Sequence, residues 1–450
     1  MRVIRTVNRK NERWQERPEI KFTGVFNPSN EVIAVNTKEK GQVHMGFGGS
    51  FTEAAASTFY EMDESLQQKF MTAYFDKNKG LGYVLGRTHI NSCDFSLENY
   101  TYVEEGDITL GTFDMSREDK WVIPMIKKAE DIAGHSLKLL ASPWSPPAYM
   151  KDTNDMNYAG KLLDEYAESW ANYYVKYING MRRRDIEIWG LTVQNEPQAV
   201  QVWDSCIYNP SEERDFVKNH LGPALHRNAM SDKALIICDH NRDIMIDHAV
   251  TVLSDPEASK YVWGTGNHWY VSEAFENLSV VHHMFPEKHI LFTEGCVELT
   301  NIATDTTGKK GYIGSWDNGE TYGRNIIGDF NNWSEGWIDW NLLLNEEGGP
   351  NHVSNFCEAP IMYNRKNNEL MINPSYYYIG HFSRYVEVGA QRVKTVTGSE
   401  NIHAVSFVNP DGKLVIVVQN EGFIKEMTLM VDGKGVNITL PDRSITTYIL

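Results

Sequence analysis

The feature that most constrains this chain is a rhythm. From residue 42 to about residue 388, short apolar segments recur, each followed by helix-like sequence. Eight of them read as strands: 43–51, 82–90, 137–143, 187–194, 235–240, 262–269, 290–294 and 336–343. Apolar runs that alternate with helical periodicity make βα units, and βα units make a parallel sheet. Eight such units over roughly 300 residues is the arithmetic of an α/β fold of the (β/α)8 kind, a TIM barrel. The intervening helices carry their own signals. Residues 63–75 open on a capping Asp63 and keep apolar positions at helical spacing. Residues 162–180 are rich in Ala, Tyr and Trp and are expected to stop at Gly180. A third helix is expected over 211–221, opening Ser-Glu-Glu.

Both ends of the chain break this rhythm. Residues 403–418 are two alternating runs joined by Pro410-Asp411-Gly412, and a second turn, Val431-Asp-Gly-Lys-Gly435, leads into alternation up to Leu450. The tail from 389 is therefore all-β. Residues 1–41 are polar with short alternations such as Glu31-Val-Ile-Ala-Val35, too short for a domain of their own. The expected domains are a barrel over 42–388 and a β-domain shared by 1–41 and 389–450. A chain of 450 residues is long enough for both.

Composition removes several classes of function. Sixty acidic against 43 basic residues give a formal charge of −17, which repels phosphate backbones and anionic lipid. No nucleic-acid partner is expected, and a neutral substrate is. No run of 18 apolar residues exists, so no stable membrane insertion is expected. The first twenty residues lack the apolar core of a signal peptide. Five cysteines (93, 206, 238, 296 and 357) form no CxxC pair, and their odd number fits reduced thiols. Together these point to a cytoplasmic protein of bacterial type, in which the sequons at Asn99 and Asn277 carry no meaning.

A barrel keeps its chemistry at the C-terminal ends of its strands. The fourth strand runs directly into Asn195-Glu196-Pro197, and the seventh ends on Glu294-Gly295. Either glutamate alone is equally well the start of a polar loop. On strands four and seven of one barrel they are two carboxylates facing across one mouth, which is what glycosidic cleavage needs. One must be protonated to help the leaving oxygen depart. The other attacks the anomeric carbon or activates water. A separation of about 5–5.5 Å gives attack and retention, and roughly 6.5–9.5 Å gives inversion. The residues leave that choice open. As the acid, Glu196 needs a raised pKa, expected from a partly apolar site and the charge of Glu294.

Other strand ends carry sugar-binding chemistry. Asp94 follows the second strand, Trp144 the third, His268 and Tyr270 close the sixth, and Trp340 lies in the eighth. Taken singly, each tryptophan is as well explained by core packing; their clustering at strand ends favours stacking on the C–H faces of a sugar. Asn195 can hydrogen-bond the sugar 2-hydroxyl. Arg87 stands in an apolar strand; it is expected to fix Glu294 or Glu196, a reading compatible with a purely structural ion pair.

At these residues the chain resembles glycoside hydrolase family 30, in its glucosylceramidase branch. The matching motifs are Gly46-Phe-Gly-Gly-Ser-Phe-Thr-Glu, Ser92-Cys-Asp-Phe-Ser96, Leu140-Ala-Ser-Pro-Trp-Ser-Pro, Asn195-Glu-Pro197, Glu294-Gly-Cys296, Asp339-Trp-Asn-Leu342, Glu347-Gly-Gly-Pro-Asn351 and Gly380-His-Phe-Ser383. They fall in order along the chain. The resemblance implies that the β-domain is a sandwich built from both chain termini. It implies a retaining double displacement, with Glu294 as nucleophile and Glu196 as acid/base. It implies glycone contacts from Asp94, Trp144, Asn195 and Trp340, with His268, Tyr270 and Asn355 close by, and neither metal nor organic cofactor. The substrate it implies is a carbohydrate or glycolipid, cleaved by an exo-acting β-glucosidase or glucosylceramidase. The stretches 197–206 and 150–170 look shorter than in lysosomal glucosylceramidases, so the glycone is better specified than the aglycone.

The competing readings are an endo-β-1,6-glucanase or β-xylosidase of the same family, and a non-catalytic carbohydrate-binding protein. The last would have lost one carboxylate, and both stand. A metal hydrolase would need more than His282-His283, which lie before the seventh strand and read as a surface pair. Gly46-Phe-Gly-Gly49 lacks the spacing of a dinucleotide-binding loop.

Overall fold

The structure, a computed structural model, describes residues 1–8, 12–299 and 312–450. Eight parallel strands close into a barrel: β1 Gly46–Phe51, β2 Leu85–Ile90, β3 Lys138–Pro143, β4 Ile188–Thr192, β5 Ala234–Asn241, β6 Gly264–His268, β7 His289–Glu294 and β8 Gly336–Asn341. Each pairs with its neighbours in chain order, and β8 closes on β1 with Gly336 opposite Gly46. All eight expected strands are present. The barrel interior is packed by Leu85, Leu140, Ile236, Leu291 and Ile338, a layer of branched side chains from five strands. The glycines of β1 are explained by this crowding. A Cβ on Gly48 would lie 2.2 Å from the carbonyl oxygen of Leu85, so that stretch is a strand pressed against β2 and not a ligand loop.

The first segment differs from the expected one at its start. Val43 belongs to a longer strand, Glu31–Val43, which lies in the β-domain, and the chain breaks direction at His44 before β1 begins. The helix Glu64–Phe75 is capped by Asp63, whose side chain accepts from the Leu66 amide at 3.0 Å. The helix expected to end at Gly180 runs from Ala167 to Arg182. Gly180 sits inside it because Met115 Sδ packs where a Cβ would be, only 2.2 Å away. The third helix begins one residue earlier than expected, at Pro210. Asn209 caps it by accepting from the amides of Ser211 and Glu212 while Glu212 bonds back to the Asn209 amide. His282 and His283 lie on a surface helix, Glu276–Met284, where His282 stacks on Trp333.

The β-domain is one nine-stranded sheet that contains strands from both chain termini. Arg2–Val7 pairs with Ser444–Ile449, and Glu31–Val43 pairs with both Gln391–Thr397 and Lys425–Val431. The two expected hairpins are there, with Val408 opposite Leu414 and Val431 opposite Lys434. The second turns on Asp432 and Gly433, both at positive φ, the geometry a tight two-residue hairpin requires. Alternation along Ile402–Val408 and Leu414–Asn420 divides the labour. Ile402, Ala404, Ile416 and Val418 fill the core of the sandwich. Val405, Phe407, Val415 and Val417 join the large core shared with the barrel. His44 is wedged at this joint among Phe47, Phe330 and Phe407. All five cysteines are unpaired and buried. No described helix is long and apolar enough to cross a membrane.

Candidate active site

Polar residues crowd the C-terminal mouth of the barrel because three strands end irregularly there. The pairing of β5 with β6 slips between Cys238 and His240, that of β6 with β7 between Phe292 and Glu294, and that of β8 with β1 between Asp339 and Asn341. Such bulges re-aim side chains at a barrel rim. Cys238 and Asp239 take positive φ to make the first one. Glu196 also has positive φ, and its amide donates to the Asp239 carbonyl at 2.9 Å. Positive φ is uncommon for a non-glycine residue, and this one is kept by the contact with the β5 bulge.

Arg87, fully buried on β2, is the hub. It donates to Ser142 Oγ at 3.0 Å, to Asn195 Oδ1 at 2.9 Å and to Asp239 Oδ2 at 2.8 Å, and it makes an ion pair with Glu294. Of the two roles expected for it, it holds Glu294 and does not touch Glu196. Tyr270 Oη donates to the other Glu294 oxygen at 2.7 Å. Glu196 is held by His268, whose Nδ1 lies 3.2 Å from Oε1, while His268 Nε2 lies 2.9 Å from Asp239 Oδ1. Thr293 donates to the same Asp239 oxygen at 2.6 Å. Trp144 and Trp340 stack on each other, ring centroids 5.2 Å apart, with the Arg87 guanidinium 4.9 Å from the Trp144 ring. They share a buried cluster with Phe95, Cys296 and Cys357. Asp94 lies beside it and accepts from Asn355 at 3.3 Å and Asn351 at 3.4 Å. Gly295 is needed here because the Phe292 ring, and behind it the Trp269 indole, lie where its side chain would be.

Every residue singled out from the sequence is therefore in one network or one cluster. Asp239, Thr293 and His240, whose Nδ1 lies 3.8 Å from Glu196 Oε1, join them without having been singled out, and Asn351 joins from the end of the Glu347–Asn351 motif. Asp239 and His240 were legible in principle, since the apolar run Leu235-Ile-Ile-Cys238 ends on them as the other strands end on their polar residues.

The charges are strongly coupled. A carboxylate oxygen of Glu196, one of Glu294 and a ring nitrogen of His268 all lie within 4.8 Å of one another. Burial drives the Glu294 carboxyl above its ordinary value, and Glu196 adds to that against the pull of His268 and Arg87. Burial pushes Glu196 up too, but the His268 hydrogen bond and the charges of His240 and His268 outweigh it and leave Glu196 below its ordinary value. The sequence expectation was the reverse, a raised Glu196, and the paired imidazole is the reason it fails for the free site. His268 itself is pushed down by burial, yet the charge of Glu294 and the bonds to Asp239 and Glu196 raise it to about 9. Burial and the Glu294 charge hold the Asp94 carboxyl well above the usual range. Among the described residues, Glu196, His268 and Glu294 are the one trio spaced to hold a metal ion. Arg87 and Tyr270 already engage both Glu294 oxygens, and Asp239 engages His268, so a cation there would have to displace an arginine from its own partner.

The arrangement matches known proteins over its whole length. The Glycosyl hydrolase family 30 TIM-barrel domain matches residues 44–386, and the Glycosyl hydrolase family 30 beta sandwich domain matches 389–448. Lysosomal acid glucosylceramidase of Mus musculus is 34% identical over 93% of this chain and 83% of its own. Among solved structures, SrfJ from Salmonella typhimurium is 38% identical, with a TM-score of 0.92 over 100% of this chain and 99% of its own. The endo-beta1,6-glucanase BT3312 is 27% identical, with a TM-score of 0.85 over 100% of this chain and 98% of its own. A closed eight-stranded barrel with paired carboxylates at its mouth, a sandwich made from both chain ends and a match along both parts give one conclusion: the chain belongs to glycosyl hydrolase family 30 and is an enzyme that hydrolyses O-glycosidic bonds.

Proposed function

We propose that this enzyme is a retaining, exo-acting β-glucosidase of the glucosylceramidase kind, with Glu294 as nucleophile and Glu196 as acid/base. The observation that carries this reading is the approach of the two carboxylates, whose nearest oxygens lie within 4.8 Å. Retaining sites hold the two carboxyl groups about 5–5.5 Å apart and inverting sites roughly 6.5–9.5 Å to admit a water, and nearest oxygens this close favour the former. Arg87 and Tyr270 hold Glu294 in one orientation for attack on the anomeric carbon. In the first step Glu294 forms an ester to the sugar as Glu196 protonates the leaving oxygen. In the second Glu196 takes a proton from water, and that water releases the sugar with its original configuration.

Glu196 sits low in the free site, so its proton must be kept nearby. His268, 3.2 Å away and titrating at about 9, is that store. Esterification removes the Glu294 charge, the largest support for the extra proton on His268, and so frees the proton for the reaction. Asp94, Asn195 and Asn355 bind glycone hydroxyls, with Trp144 and Trp340 as apolar walls and His268 and Tyr270 at the anomeric side. Beyond the mouth, the loops after β3, β4 and β6 expose Tyr158, Val200, Val202 and Val271. That rim suits an apolar aglycone such as that of a glycolipid.

The test is a panel of aryl β-glycosides (glucoside, xyloside, galactoside, fucoside), followed by glucosylceramide and gentio-oligosaccharides, with the product anomer read by NMR. The glucoside should be fastest and β-glucose should appear first. An α-anomer as first product would sink retention, and internal cleavage of the gentio-oligosaccharides would sink exo action.

A further inference from the structure

After Glu294 the chain forms a two-residue ladder. Val297–Glu298 runs antiparallel to Cys357–Glu358, with Glu298 opposite Cys357. That register puts Cys296, two residues before Glu298, diagonal to Cys357 on the same face. On that face each thiol shifts the other's proton affinity, and the Cys357 thiol also lies 3.9 Å from the Asn355 carbonyl oxygen. Both are buried in the cluster of Trp144 and Trp340, and neither forms a disulfide. Cys296 Sγ lies 3.6 Å from Tyr270 Oη, the hydroxyl that donates to Glu294. Double displacement makes no use of either sulfur, so two adjacent thiols stand one contact away from the nucleophile's own hydrogen bond.

We propose that Cys296 and Cys357 form a chelating dithiol site for trivalent arsenic, taken up as its neutral hydroxide, and that occupation silences the enzyme through Tyr270. Two thiols side by side on one face of the ladder, within one buried cluster, suit one pyramidal centre that binds both at a narrow angle. A linear soft cation would need them farther apart, and a tetrahedral metal would need two more donors. Burial keeps the Cys296 thiol protonated; at Cys357 the interaction with Cys296 is the largest single influence and pulls down, and burial together with the charges of Glu298, Asp94 and Glu294 outweighs it. Protonated thiols favour a reagent that brings its own hydroxides. Two As–O bonds break and two As–S bonds form. Each thiol proton leaves on a hydroxide as water, and no oxidation state changes. A neutral reagent also passes Asp94, Glu196 and Glu294, where a cation would be retained. With arsenic on Cys296, Tyr270 loses its place beside that sulfur and no longer aligns Glu294.

The inactivation arm rests on the glycosidase reading, whereas the adduct arm does not. Enzyme incubated with arsenite is read by intact mass, by peptide mapping and by aryl glucoside turnover. One arsenic should be found per chain, bridging Cys296 and Cys357, with turnover lost in proportion to adduct. A small dithiol should restore turnover where a monothiol does not. Cys357→Val should keep its basal turnover and need about a hundredfold more arsenite, because the second bond is no longer intramolecular. Absence of an adduct on the unaltered enzyme, an adduct mapping to Cys93, Cys206 or Cys238, or full turnover with the adduct in place would each overturn the proposal. So would equal sensitivity of Cys357→Val, with Cys357→Ala as the second variant should the first not fold. If no glycoside is turned over, the mass and the mapping still decide whether the dithiol binds.

Discussion

At the scale of single residues, the site is a set of charges that hold one another in place. Glu294→Gln removes the attacking oxygen's charge and keeps its shape, so turnover should fall by about a thousandfold or more with Tm unchanged. Near-normal turnover would remove Glu294 from its role. Glu196→Ala should spare activated aryl glucosides, which need no acid, in the first step, and azide should restore much of the loss in the second. Equal loss on good and poor leaving groups, without rescue, would contradict it. Asp239 offers a subtler test. It is one of the groups that keep the His268 proton in place. Asp239→Asn should move the alkaline limb of kcat/KM to lower pH by about 1–3 units, whereas loss of a purely structural contact would lower the plateau without moving the limb. Legibility at this scale was uneven. Glu196 and Glu294 could be read because apolar strands run straight into them. The free-site charge order could not, because it depends on His268 sitting between Glu196 and Asp239, and no spacing in the chain encodes that contact.

At the scale of elements, the strands were readable and their irregularities were not. Alternating apolar segments announce a strand, but a bulge costs one residue and leaves no hydrophobic signature. The apolar run ending at Cys238 announces polar residues at 239 and 240, but the slip there, which decides how Asp239 is aimed, leaves no mark in the sequence. The helix end expected at Gly180 failed because a glycine there makes room for Met115 and ends nothing. Glycines in β1 have the same steric origin, which makes a prediction. Gly48→Ala drives a methyl group against the backbone of β2 and should cost about 1–3 kcal/mol. Calorimetry should show a lowered Tm, with kcat per folded molecule nearly unchanged. An unaltered Tm would mean that β1 and β2 can separate freely.

At the scale of the whole molecule, the joint between barrel and sandwich contains two histidines that must stay neutral. His44 is enclosed by three phenylalanines, and His381 bridges Thr6 and Thr447 at 2.8 Å each. Burial depresses each of them to about 3. A depressed base is neutral in the folded chain and takes up a proton when unfolded. Its stabilisation is therefore intact above the ordinary value of about 6.5 and is lost as pH falls from there towards 3. Tm should drop steeply between pH 6 and pH 4, and His44→Phe should flatten that drop; a Tm independent of acid would exclude the joint as the weak point. The division into barrel and β-domain could be read from the rhythm and its loss near residue 389, but which strands meet could not, since pairing across the length of the chain leaves no local pattern. That pairing has a consequence in time. Gln391 leaves the ribosome about 350 residues after Val43, its partner in the sheet. At about 5–20 residues per second, the edge of Glu31–Val43 waits unpaired for on the order of tens of seconds during synthesis. The barrel must fold around a strand that has nothing yet to bind, and a nascent chain has no protection for that edge except the speed of its own completion or a chaperone.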